Sequence, residues 1–410
     1  MKKILIIGYV WPEPSSSAAG SRMIQLLDFF LLHNFEITFA TPAVETGNQA
    51  NLKTKGISTR KIVPNDPAFD NFLEELKPEI VLFDRFMMEE QFGWRVEKVC
   101  PDTLKILDTE DLHFLRNARQ EAWKKGCDEK EIYKNSELAK REIASIYRCD
   151  LSFIISKAEM DLLTGEFNVP GNLLYYLPLL FETSEIKEKA LPGYEERKGF
   201  MHIGNFLHEP NWNAVLYLKE KLWPGIRKKM PSAEVFIYGS YPSRKVWNLH
   251  KPEEGFHIMG KAEEAENVFQ QARILLAPLQ FGAGLKGKLL EAMQNGTPSI
   301  TTPVGAEGIS DEAHWPGTVC RTDEDFIEKS VAVYSNAEKW IFYQKQGYKI
   351  LMENFEKSAF LSDFQERILG LQNNLKKHRE MNFTGQMLKF HLHKSTYYLS
   401  RFIEEKNRKK

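Results

Sequence analysis

The chain is poor in cysteine. Its 410 residues hold four, Cys100, Cys127, Cys149 and Cys320. They form no C-x-x-C pair and no zinc-ligand spacing, which excludes a disulfide framework and predicts buried thiols in a reducing compartment. An excess of either charge is also lacking. Lys and Arg number 55 against 56 Asp and Glu, for a formal net charge of -1, so nothing global points to nucleic acid. No stretch approaches the ~18 consecutive apolar residues of a spanning helix. The apolar run at 4–8 is too short for a signal peptide, and Pro12 and Pro14 break the chain soon after it. A cytoplasmic protein is therefore expected. H-E-x-x-H, Walker and G-x-S-x-G motifs are missing, and neither a metal nor a cofactor is expected.

What the sequence does have is alternation. Short apolar runs at 3–8, 35–40, 79–83, 104–107 and 151–155 alternate with helical patterns such as 20–32, where Met23, Leu26, Leu27, Phe30 and Leu31 recur at helical spacing. Continuous apolar runs read as parallel strands buried on both faces. A second cycle places runs at 200–204, 234–239, 256–259, 273–277 and 298–301. The fold class expected is α/β, with two doubly wound, Rossmann-like units facing each other across a cleft. The divisions are 1–190, 191–355 and a helical 356–410, with a charged linker at 182–198 carrying Pro192 and Gly193. Residues 111–148 read as one long helix or two. The last part, from about Leu375, is basic and interleaved with Met387, Leu388, Phe390, Leu392, Tyr397, Tyr398 and Phe402. It reads as a terminal helix with a basic tail, or as an amphipathic helix in peripheral contact with the inner face of a membrane.

The informative segment is 277–308, APLQFGAGLKGKLLEAMQNGTPSITTPVGAEG. A strand runs into a loop with Gly282, Gly284 and Gly287, and a helix starts near Lys286. Glycines let a ligand approach the backbone, and the first helical turn offers unpaired N–H groups with a dipole that favours an anion. Together they suit a diphosphate. Lys286 and Lys288 at that end oppose the dipole, which is costly unless an anion binds. Glu291 follows Lys288 at i,i+3 and could accept both hydroxyls of a ribose, or form a surface ion pair with Lys288. Residues 282–287 also match G-x-G-x-x-G. The match follows the fourth strand of the second cycle rather than a first strand, which argues against NAD or FAD.

The segment resembles the signature of retaining glycosyltransferases of family 4 (glycosyl transferases group 1), which have the GT-B fold. Residues 199–213, GFMHIGNFLHEPNWN, resemble the opening of that family's second domain, with Gly204-Asn205 after the strand. The first strand, the loop to Gly20-Ser21-Arg22 and the next helix resemble its first unit. The resemblance implies a donor site of Gly20, Gly204, Asn205, Gly282, Gly284, Leu285, Lys286, Lys288 and Glu291. Met259 and Gly260 would flank the base, and Thr302 and Gly305 would line the cleft. Many members carry a second Glu eight residues before the ribose Glu; here that residue is Ala283.

After the 104–107 strand comes Asp108-Thr109-Glu110-Asp111-Leu112-His113. His113 resembles in position the histidine that the family sets near the donor sugar. Asp108 or Glu110 could orient it or act on the acceptor hydroxyl. Alternatively, Asp108 and Asp111 cap the next helix. Asp84-Arg85 is a further cleft candidate. Asp323-Glu324-Asp325 matches D-x-D but reads better as a cap. The activity implied is transfer of a sugar from a nucleotide-diphosphate donor to a glycan, lipid-linked sugar or other hydroxyl acceptor. The alternatives are a nucleotide-sugar epimerase and a catalytically silent binding protein.

Overall fold

A computed structural model describes residues 2–183 and 191–408. The middle of the expected linker, 184–190, and the last two residues of the basic tail lie outside the described residues.

The first sheet has seven strands: β1 Lys2–Ile7, β2 Phe35–Thr41, β3 Ser58–Lys61, β4 Ile80–Asp84, β5 Leu104–Asp108, β6 Leu151–Ile154 and β7 Leu174–Tyr176. Their order is β3-β2-β1-β4-β5-β6-β7, and every pairing is parallel. The second sheet holds β8 Phe200–Ile203, β9 Val235–Tyr238, β10 Phe256–Gly260, β11 Ile274–Ala277, β12 Ser299–Thr301 and β13 Gly317–Val319. It is also parallel throughout, in the order β10-β9-β8-β11-β12-β13. Both are doubly wound sheets. Their strands are apolar without alternation because helices cover both faces: Ile4, Leu5, Ile6 and Ile7 are all fully buried.

The polar edge strand β3 and the three-residue strands β7 and β13 escape sequence reading, since runs this short carry no clear period. Segment 111–148 is not one helix or two. It forms three, His113–Lys125, Glu129–Lys134 and Glu137–Arg148, broken where Gly126 adopts a left-handed φ of 65° and where Ser136 caps the third helix.

After the second sheet the chain returns to the first. Phe181 N–H donates to Phe355, and Lys357 N–H donates to Phe181. Helix Lys357–Asn373 then buries Phe364, Ile368 and Leu371 in the core beneath β1 and β2. Phe364 meets Phe29 edge-on at 4.4 Å. The helices after residue 356 thus complete the first unit's core.

Candidate active site

The carboxyl ends of both sheets face one gap, the position where open α/β sheets bind ligands. On one side β11 runs into the glycine-rich loop. Gly284 adopts a φ of 62°, and a Cβ there would lie 2.8 Å from Asp111 Cβ of the first unit. Gly287 opens helix Gly287–Gln294, and its Cβ would lie 2.7 Å from Ala18 Cβ. Ala18 starts the helix that also holds Gly20. The glycine corner therefore faces the gap and lies close against the first unit. Gly284→Ala adds a Cβ in a left-handed conformation, at roughly 1–2 kcal/mol, and a steric contact besides. The expected result is a wider gap in small-angle scattering with weaker donor binding; unchanged scattering and affinity would contradict this geometry.

Lys286 and Lys288 diverge. The Lys286 ammonium, buried, bonds the Gly284 carbonyl at 2.9 Å and lies 3.9 Å from Glu307. Burial pushes it down to about 8, with Glu307 opposing. Lys288 donates to Asn211 Oδ1 at 2.8 Å and sits 3.5 Å from His202 Nε2. His202 Nδ1–H donates to the Leu276 carbonyl at 2.8 Å, so Nε2 carries the lone pair that can accept from Lys288. Burial pulls His202 well below its ordinary range, with Lys288 adding to it. Among the described residues Lys288 has no carboxylate within ion-pair distance. Burial brings it down from 10.5 to about 7, with Glu291 opposing. The Glu291 carboxylate likewise has no hydrogen bond among the described residues, and burial raises it. No ion pair joins Lys288 to Glu291 among the described residues, and both side chains are part-buried.

Gly204 accommodates the end of Lys288, whose Nζ would be 2.8 Å from a Cβ there. Asn205 closes a turn, its Oδ1 accepting from Leu207 N–H at 2.8 Å. Gly260, at a φ of 77°, lies against Trp247, and Met259 is exposed beside it. Leu285 is buried in the core between the units. The Thr302 hydroxyl serves the local fold instead of an open cleft. It donates to the Leu279 carbonyl and accepts from Gly305 N–H at 3.3 Å. Gly305 has no room for a Cβ, which would lie 1.9 Å from Thr301 Oγ1.

Three long-range partners were invisible in the sequence. The Glu159 carboxylate crosses the gap: its Oε1 accepts from Leu112 N–H and Gly284 N–H, both at 2.9 Å. The Gly284 amide assigned to a diphosphate is thus occupied by protein in this arrangement. Burial, reinforced by Asp111, raises Glu159 to about 8, and its Oε2 has no partner among the described residues. Arg119 also crosses, reaching the Gly282 carbonyl at 2.9 Å and Glu307 with two bonds of 2.6 and 2.8 Å. Glu142, fully buried, accepts from His113 and Phe114 N–H at 3.1 and 2.9 Å. Glu142 and Glu159 therefore satisfy the start of helix His113–Lys125. The expected caps do not: Leu112 is the N-cap residue, and Asp111 pairs with Arg116.

Asp108 needs the largest correction. Its carboxylate is fully buried and accepts from Arg22 Nε and Nη2 at 3.1 and 2.7 Å. Arg22 also donates to the Leu177 carbonyl at 2.7 Å. Asp108 is thus engaged by Arg22, and no bond joins it to His113. Glu110 holds a φ of 63° and Arg85 one of 69°. These strained positions follow β5 and β4, whose last residues Asp108 and Asp84 lie side by side. Burial, then Asp108, raises Glu110 well above the carboxylate range. His113 Nδ1–H donates to the Asp111 carbonyl at 3.0 Å. Its Nε2 makes no hydrogen bond among the described residues, and its ring meets Phe86 edge-on at 5.7 Å. His113 lines a pocket of about 460 Å³ between the units, with Phe86, Arg116, Arg141, His208 and Pro210. Asp323-Glu324-Asp325 opens helix Asp323–Tyr334, capped by the Thr322 hydroxyl.

Residues 197–336 match the family model of the glycosyl transferases group 1. The match lies within the second unit. The chain is 23% identical over 238 residues to an uncharacterized 44.6 kDa protein in the cps region of Klebsiella pneumoniae; the aligned part is 55% of this chain and 58% of that protein's length. Solved structures share the architecture. A mutant of TarM from S. aureus, in complex with fondaparinux, alpha-GlcNAc-glycerol and UDP, superposes at a TM-score of 0.68 with 11% identity, covering 91% of this chain and 100% of that one. HepE from Anabaena, in complex with UDP and glucose, gives 0.66 and 10%, covering 90% and 100%. WaaG, a glycosyltransferase involved in lipopolysaccharide biosynthesis, gives 0.61 and 12%, covering 88% and 98%. The fold is GT-B.

Proposed function

We propose that the chain transfers a sugar from a nucleotide-diphosphate donor to an acceptor hydroxyl, in glycan, polysaccharide or glycolipid assembly. The observation that carries this reading is Lys288, a part-buried lysine without a carboxylate in ion-pair distance among the described residues. A partly desolvated ammonium without a counter-charge is costly, and an incoming diphosphate supplies that charge. In this reading Lys286 and Lys288 stabilise the leaving nucleoside diphosphate, and Glu291 holds the ribose hydroxyls. The His113 Nε2 lies toward the sugar, and closure of the two units excludes water. Binding of the diphosphate displaces Glu159 from Gly284 N–H. The family match in the second unit and the UDP bound by the TarM and HepE structures support the donor class. The cps-region relative supports a polysaccharide product. Retention of anomeric configuration is part of the reading and rests on the likeness of segment 277–308 to the retaining family.

Two measurements test it. Glu291→Ala is expected to weaken UDP binding by roughly 1–3 kcal/mol, the scale of hydrogen bonds to a charged group, as read by calorimetry. Nucleoside diphosphate should appear only when an acceptor is supplied. Unchanged UDP affinity in both Glu291→Ala and Lys288→Ala sinks the donor site. Interconversion of donor epimers without acceptor would make the protein an epimerase instead.

A further inference from the structure

Helix Phe383–Arg408 is the last element and is 26 residues long. One side of it is anchored. Arg95 bonds Ser400 and Glu404, Lys389 pairs with Glu97 at 3.3 Å, and Tyr397 meets Trp94 edge-on at 5.7 Å. The opposite side is open and apolar. Phe383, Met387, Phe390, Tyr398 and Phe402 recur at steps of three, four and eight, so they share one helical face. Phe383 is 66% exposed, Phe390 59%, Tyr398 69% and Phe402 67%. Lys394 lies within the same stripe, its ammonium 4.0 Å from the centre of the Phe390 ring. From 381 to 403 the sequence contains no Asp or Glu. Lys376 and Lys377 are exposed just upstream, and the acidic residues Glu380 and Glu405 lie at the two ends of the stretch.

Aromatic rings with basic side chains between them suit the interface of an anionic bilayer, where rings enter the headgroup region and ammonium groups stay at the phosphates. A second copy of the chain fits less well, because self-pairing would bring Lys394 and Arg401 toward their own equivalents. We propose that this face docks on an anionic lipid surface. The face lies close to the candidate pocket. Asn382 Nδ2 donates to the Tyr147 carbonyl at 2.7 Å, on the helix whose other end contributes Leu138 and Arg141 to the pocket. Leu138 and Tyr147 are roughly 14 Å apart at 1.5 Å per residue. Docking thus holds the pocket near the bilayer. The consequence for the acceptor, that it is a lipid-linked sugar, rests on the transferase reading; the docking itself does not.

The test is co-sedimentation of the full chain with vesicles of phosphatidylcholine alone and of phosphatidylcholine mixed equally with phosphatidylglycerol. The expected result is binding to the mixed vesicles only, weakened by raising the salt. The double variant Phe390→Ser/Phe402→Ser should bind at least about tenfold less, with Tm and UDP affinity unchanged because both side chains are exposed and neither lines the pocket. Native protein that ignores the anionic vesicles overturns the proposal, and so does a double variant that binds them equally. A native dimer in light scattering that the same variant dissociates overturns it as well, by assigning the face to a second copy. UDP affinity is read separately, so failure here is distinguishable from failure of the donor site.

Discussion

Lys288→Met is expected to lose UDP binding by about 2–3 kcal/mol, or roughly 30- to 150-fold, while raising the Tm of the ligand-free protein. The two effects have one cause. In the free protein Lys288 is held in the gap by Asn211 and neutral His202, without a counter-ion among the described residues. Burial lowers it from 10.5 to about 7. A cation lowered in the folded state destabilises the fold fully below the folded value, and the penalty fades as pH climbs toward the unfolded one. Methionine removes the charge but keeps most of the stem, so the penalty goes. The Tm difference between the Lys288→Met variant and the native protein should therefore be largest below pH ~7 and shrink toward pH ~10. A bound diphosphate acts in the reverse direction, favouring the ammonium. UDP binding slightly above neutral pH should take up protons, as read by calorimetry in buffers of different ionisation enthalpy, and affinity should fall as pH rises above about 7. A variant that binds UDP as well as the native protein, or native binding without proton uptake, would remove Lys288 from the donor site.

The second large effect is one of stability. Arg22 and Asp108 form an ion pair that is almost completely buried, at 1% and 0% side-chain exposure. Arg22→Met should destabilise the protein by about 3–5 kcal/mol, because it leaves a buried carboxylate unpaired. Asp108→Leu should do the same by stranding the guanidinium. The double variant should recover much of the sum, since replacing both partners by apolar groups removes the unpaired charge. Chemical denaturation of the four proteins measures this cycle. Singles that unfold like the native chain but lose turnover would return Asp108 to the catalytic role that its place after β5 suggested.

These two residues show where sequence reading succeeded and where it stopped. Lys288 was legible because its information is local: a strand, a glycine turn and a helix start lie within a dozen or so residues, and a lysine there conflicts with the dipole visibly. Asp108 was placed correctly at a strand's carboxyl end. Its partner lies 86 residues earlier, and no spacing rule connects them. The same holds for Glu159, which reaches Gly284 across 125 residues, and for Arg119, which reaches Glu307 across 188. Both contacts cross the gap between sheets, so they depend on how two folded units meet.

By itself the sequence determined the α/β class, the buried parallel strands, the helical patterns between them and the glycine corner with its lysines. Each is written in a period or turn signal that operates within one element and its neighbours. The tertiary structure decided which charges are free and which are engaged: Lys288 and Glu291 remain without ionic partners among the described residues, while Asp108, Asp111 and Thr302 are taken up by the fold. It also decided that the chain returns after residue 356 to complete the first core. The reason is that desolvation and pairing are set by what packs around a group, and packing joins residues that the sequence holds far apart.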